Sequence, residues 1–302
     1  MARPAMARYG VVNGPFTRYY GFMWYRSQCL YMALGTIVAF AATSQASAQA
    51  AAGPTRSGTQ TAITVEPPLF PALSYADLAD MTLRAPLVAG AQIVTASRLK
   101  GELAPGLSAG FARFLINANV QLLLHGADGL SGTVSFIVDV PADSRGKVPD
   151  LRKKRFLLLA DRVANRPQEI RLLSPRAMLD WTPGDESRLR TILTSASGPE
   201  APPRITGVAR AFHVPGAIPG ESETQIFLTT ADARPVSLNV LRRPGETPRW
   251  AVALAEIVDD AAAPPERDTL LWYRLACFLP AQLPDAAVAE MAPDDATAAR
   301  ND

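Results

Sequence analysis

Two cysteines and two histidines in 302 residues leave little material for metal or thiol chemistry. A structural zinc site takes four His or Cys ligands and a catalytic one three, at fixed spacings, and His125, His213 and Cys277 are too few and too far apart. No alternating acidic loop with a central glycine and terminal glutamate is present for calcium, so Glu221, Glu223, Asp232, Asp259 and Asp260 read as a solvated rim. Neither common glycine-rich phosphate loop occurs before a helix, and there is no internal repeat. These absences predict no cofactor and no metal. The chain also lacks any run of the roughly 20 apolar residues that a membrane-crossing helix needs.

The most informative stretch that is present runs from Arg26 to Ala48, RSQCLYMALGTIVAFAATSQASA: a positive charge, 13 largely apolar residues from Leu30 to Ala42, then Ala46-Ser47-Ala48. That order is the signature of a secretory signal peptide, with cleavage between Ala48 and Gln49 and the small side chains of Ala46 and Ala48 read by the peptidase. Cys29 precedes the apolar run instead of ending it, which argues against a lipoprotein. Met23 starts a leader of ordinary size, so residues 1–22 read as a start-site artefact within a signal segment 1–48. The expected location is periplasmic or secreted, with no integral membrane span after cleavage.

Removing the leader changes the charge and the thiol chemistry. Residues 1–48 hold Arg3, Arg8, Arg18 and Arg26 and no acid, so a net +2 becomes −2 in the remainder. The basic pI of about 8.6 belongs to the leader and gives no support for a nucleic-acid partner. Only Cys277 remains, which excludes an internal disulfide. Its apolar setting, LLWYRLACFLP, reads as a packed small hydrophobe, the alternative being a reactive or intermolecular thiol.

Residues 49–73 are rich in Ala, Gly, Thr, Ser and Pro and read as a flexible linker. Ser74 caps a short helix that Pro86 ends. Alternation of Phe114, Ile116, Ala118, Val120 and Leu122 with polar neighbours, and of Val134, Phe136, Val138 and Val140, predicts two half-buried strands joined through His125-Gly126-Ala127-Asp128-Gly129. Apolar runs at Leu87–Val94, Phe156–Ala160 and Ile170–Leu173 complete five strands, enough for a small antiparallel barrel of the oligonucleotide/oligosaccharide-binding (OB) type or a compact sandwich. Thr182-Pro183-Gly184-Asp185 starts a second helix, and Ser195–Pro203 breaks all periodicity.

Beyond this break, Ile205–Val214, Thr224–Thr230, Val236–Leu241 and Trp250–Val258 form a β-meander, closed by a helix capped at Asp268 or Thr269 and stopped by Pro280. The expected class is thus mainly β with a few short helices, in two parts: residues 74–195 as a barrel-like set and 204–284 as the meander with its helix. Residues 285–302 are Ala and Asp rich and read as a disordered tail.

Catalytic signals are weak. Gly220-Glu221-Ser222-Glu223-Thr224 matches four of the five places of a nucleophile elbow, but the last glycine is missing and the serine precedes a strand instead of following one. His213, between Phe212 and Val214, is a candidate general base without an evident nucleophile. Arg152-Lys153-Lys154-Arg155 is the one strong charge run. It reads as a solvated loop guarding the strand that follows, or as a site for an acidic partner such as an anionic envelope polymer.

The segments Gly220–Leu228, Trp250–Val258 and Trp272–Pro280 resemble an uncharacterised family of secreted alphaproteobacterial proteins, over most of residues 74–284. That resemblance implies export and no particular activity. Separately, Thr224-Gln225-Ile226-Phe227-Leu228 with Phe212-His213 is similar to strands of cyclophilin-type prolyl isomerases, which implies His213 and Gln225 as catalytic candidates. Val214 replaces the arginine of that family's motif, and its Gln-Gly-Gly-Asp segment is absent. The favoured reading is an exported, non-enzymatic binding protein for a protein or envelope component. The alternative is a periplasmic enzyme of cyclophilin-like type.

Overall fold

The computed structural model describes residues 68–258 and 262–302. The expected cleavage residues Ala46, Ala48 and Gln49 lie outside them. Helix α1 (Tyr75–Arg84) starts where Ser74 Oγ accepts the Asp77 amide, as the sequence predicts. It leads into β1 (Leu87–Leu99), β2 (Phe111–His125), β3 (Thr133–Pro141), β4 (Arg155–Val163), β5 (Arg166–Leu172) and a short β6 (Met178–Asp180) that sequence periodicity does not announce.

β1 pairs antiparallel with β2 along its whole length and with β4 over Leu87–Gln92. Irregularities between Val88 and Ala89, Gly90 and Ala91, and Ile93 and Thr95 bend β1 enough to join both neighbours. The circuit β1-β2-β3-β5-β4-β1 closes a five-stranded barrel of OB type. One pairing departs from the antiparallel expectation: β3 and β5 run parallel and touch at Ser135 and Glu169.

The barrel interior mixes small Ala91, Ala118 and Ala160 with large Phe136, Phe156 and Ile116. In β2 and β3 the alternation read from the sequence is the alternation between this interior and the outside. β4 breaks the pattern, because Phe156 to Ala160 are all buried. Phe156, Leu158 and Ala160 point into the barrel, while Leu157 and Leu159 pack outward against α1, α2 (Pro183–Ser197) and α3 (Leu270–Phe278) through Leu78, Leu189, Ile192, Leu270 and Tyr273. A strand covered on both faces reads as a continuous apolar run.

The second sheet is the expected antiparallel meander, in the order β10-β9-β8-β7: β7 (Ile205–Pro215), β8 (Ser222–Thr230), β9 (Val236–Arg242) and β10 (Arg249–Ala253). β10 is shorter than the Trp250–Val258 run suggests, since residues 254–258 leave the strand and fold over the sheet, where Ala255 O accepts the Ser237 hydroxyl. Thr269 Oγ1, the cap expected from sequence, accepts the Trp272 amide and starts α3. α3 serves both cores: Leu270 and Tyr273 join the helical layer over the barrel, and Leu275 packs against Ile205, Leu228, Val236 and Leu238 of the meander.

Two segments expected to be unstructured carry structure. Leu69 and Phe70 of the linker pack on the barrel, with the Phe70 amide donating to Asp180 Oδ2 at 3.1 Å. The tail holds a 3-10 turn over Asp285–Val288 and helix α4 (Pro293–Asn301), with Val288, Ala296 and Ala299 buried against Ala211 of β7. Among the described residues no helix is long and apolar enough to cross a membrane. Cys277 is half-buried in α3, and no disulfide forms among the described residues.

Candidate functional site: a basic cleft at one end of the barrel

The connection from β3 to β4 folds back over one end of the barrel. Asp143 Oδ1 accepts the amides of Arg145 (2.9 Å) and Lys147 (2.8 Å), and Gly146 supplies the positive φ of 74° that this tight turn requires. Leu151, 1% exposed, then inserts into the barrel core and fixes the loop there. Between this loop and the far ends of β1 and β2 lies a cleft of about 440 Å³. Arg98, whose Cα partner across the sheet is Phe114, lines one side with that ring, and Lys147, Asp150 and Arg152 line the other.

Three cations and one carboxylate leave this lining with a net positive charge. Asp150 is already committed, because Arg152 grips it through Nη2 at 2.9 Å and Nε at 3.1 Å, and the Arg152 amide donates to it at 3.0 Å. These bonds, side chain first and backbone second, hold the Asp150 carboxyl down at about 2, so it stays ionised under all ordinary conditions. Asp150 in turn raises the Arg152 guanidinium. Arg98 and Lys147 therefore carry the cleft's attraction for anions, and the Phe114 ring gives it an apolar wall.

The charge run read from sequence is divided by the fold. Only Arg152 faces the cleft. Lys153 takes a left-handed φ of 65°, and its backbone donates to Ile93 O at 2.8 Å and accepts from Gln92 Nε2 at 2.9 Å. Arg155 instead lies 4.8 Å above the ring of Trp181. Sequence reasoning missed Arg98, Phe114 and Lys147. They stand far apart along the chain, and only the bend of β1 and the folding back of the loop bring them together.

The enzymatic candidates are placed apart. Register pairs Phe212 with Gln225 and His213 with Thr224, so Gln225 faces the side of the meander opposite His213, and no one pocket takes both. Gln225 Nε2 donates to Glu256 O at 3.3 Å. His213 is enclosed on the other face with its Nδ1 2.7 Å from Thr224 Oγ1. Glu223 binds Asn239 Nδ2 at 2.9 Å, and Asp232 binds Arg234 at 2.8 Å. Ser222 opens a strand paired with Pro215 and Arg242, which is not the strand-to-helix turn of a nucleophile elbow. His125 ends β2 in an exposed position, Asp259 and Asp260 lie outside the described residues, and among the described residues no group of His, Cys, Asp or Glu has metal-site geometry. The chain matches no protein-family model and no curated protein.

Proposed function

We propose that the protein is an exported binding protein whose barrel captures an anionic component of the periplasm or cell envelope. The observation that carries this reading is the cleft of Arg98, Lys147 and Arg152 around Phe114, with its single acid already neutralised. Such a site suits a carboxylated or phosphorylated polymer with sugar or other apolar faces. The cations attract the charge, and the ring contacts the less polar surface. The leader sequence supports an envelope location for that partner.

The test is equilibrium binding of fluorescently labelled oligogalacturonate and polyphosphate to residues 49–302 at 50 mM and 200 mM salt. Binding is expected to weaken with salt, and R98A/K147A is expected to bind about tenfold or more weakly and with a shallower salt dependence, since each lost ion pair removes roughly one released counterion. Equal affinity of the double variant, or tighter binding of single-stranded DNA than of either polymer, refutes the proposal. N-terminal sequencing of the protein recovered from the periplasm checks export independently, with Gln49 as the expected first residue.

A further inference from the structure

The second place where polar groups converge is independent of the cleft. On the inner face of the meander the rows built from Ile205, Leu228, Val236 and Leu238 are apolar, as befits a covered sheet. One end of that face is different. Here His213 of β7, Thr224 of β8 and Arg242 of β9 surround the side-chain carboxylate of Asp302, directly after α4. Arg242 Nε donates to one carboxylate oxygen and Thr224 Oγ1 to the other, and Arg242 Nη2 holds Asn301 O at 2.9 Å. Because the Thr224 hydroxyl hydrogen is spent on Asp302, its oxygen must accept from His213 Nδ1 at 2.7 Å. The relay therefore runs from imidazole N–H to hydroxyl to carboxylate. The Asp302 side chain is 1% exposed and that of His213 7%, and Thr224 is fully buried.

The segment over this socket is also seated by Val288, buried with Ala296 and Ala299 against Ala211, and Arg300 of α4 pairs with Asp285 at 2.8 Å. Helix α4 has no side-chain N-cap and buries only Ala296 and Ala299, two of the smallest apolar side chains. The charge-assisted bonds at Asp302 are the specific part of its attachment. We propose that His213, Thr224 and Arg242 form a carboxylate-recognition site that the chain's own Asp302 occupies in cis, and that an acidic peptide segment binds there in trans once Asp302 is displaced. An occupant tethered to its site acts at high effective concentration, so the intact chain masks the site, and an external ligand competes at an apparent affinity lowered by the fraction of open sites. A partner carrying Asp in the place of Asp302 and small apolar side chains in the places of Ala296 and Ala299, which are buried against Ala211, has the chemistry to compete for the site.

The experiment uses a fluorescent peptide of residues 288–302, VAEMAPDDATAARND, titrated into residues 49–302 and into the same chain carrying Asp302→Ala. The variant is expected to bind the peptide at least tenfold more tightly than the unmutated protein. A peptide amidated at its end should bind equally well if the Asp302 side chain is the recognised group, and should lose binding if a terminal carboxylate is recognised instead. Replacing Asp302 by Asn in the amidated peptide should abolish binding, as should Arg242→Gln added to Asp302→Ala in the protein. Circular dichroism and an unchanged cooperative thermal transition show that each variant is folded. Equal peptide affinity for the unmutated protein and Asp302→Ala, or binding that survives Arg242→Gln, overturns the proposal.

Discussion

Gly90 in β1 is a position where one methyl group tests the packing of the whole barrel wall. Its backbone is ordinary extended strand, so alanine is conformationally acceptable there. By itself the exchange would stabilise the fold by about 0.4–1 kcal/mol through a less flexible unfolded chain. Space decides otherwise. A Cβ at Gly90 would stand 2.4 and 2.5 Å from two carbons of the Trp181 ring. That ring cannot slide easily, since its Nε1 donates to Glu186 Oε2 at 2.7 Å and the Arg155 guanidinium lies 4.8 Å above it.

Overpacking of this kind costs about 1–3 kcal/mol. Gly90→Ala is therefore expected to be destabilising by about 1–2 kcal/mol, or roughly 3–6 °C in Tm for a chain of this size. Urea and thermal unfolding followed by circular dichroism would measure it. The decisive comparison is the same substitution in a Trp181→Ala background, where the clash is gone and the entropic gain remains, so that Gly90→Ala becomes neutral or stabilising. A coupling of about 2 kcal/mol between the two positions follows. Equal costs in the two backgrounds would refute the argument that the Trp181 ring is what requires glycine here.

Other consequences are simpler. Thr182 Oγ1 accepts the Asp185 amide at 3.0 Å, so Thr182→Ala should cost about 1 kcal/mol in chemical denaturation, whereas Thr182→Ser should cost much less. Burial, helped by Asp268, raises the Tyr75 hydroxyl above its usual 10.0. The folded state thus keeps a proton that the unfolded state loses, and this contribution to stability is full below pH 10 and declines as the pH rises through the higher folded value. Alkaline unfolding of Tyr75→Phe should accordingly begin at higher pH than that of the unmutated protein, and coincident curves would remove Tyr75 from the account.

Much of the fold is legible locally. Ser74, Thr182 and Thr269 mark three helix starts because a cap is a contact between residues three apart. The two-residue period of β2 and β3 is legible because each strand has one face in the barrel. β6 and the full extent of β1 were not legible: a three-residue strand has no period to detect, and the outer half of β1, from Thr95 onward, is partly polar and held by pairing with β2. The order of the tail is illegible for a related reason. An Ala-rich segment shows no apolar periodicity, and what seats it is the burial of Val288, Ala296 and Ala299 against Ala211 together with one carboxylate bonded to strands 60 to 78 residues away.

The candidate sites divide in the same way. Sequence alone determined the shortage of metal and thiol ligands, the β-rich class and the closing helix, because each depends on composition or on neighbours within one element. Tertiary structure alone decided that Arg98, Lys147 and Arg152 share a cleft and that His213 and Gln225 do not share a pocket. The second outcome rests on register. Adjacent residues of a strand face opposite sides, and sliding β7 against β8 by one residue would have set His213 opposite Gln225, on one face. Nothing local to either strand encodes that choice. It is made by the loop from Gly216 to Glu221 and by the burial of Ala211, Thr224 and Leu228 against the helices that follow.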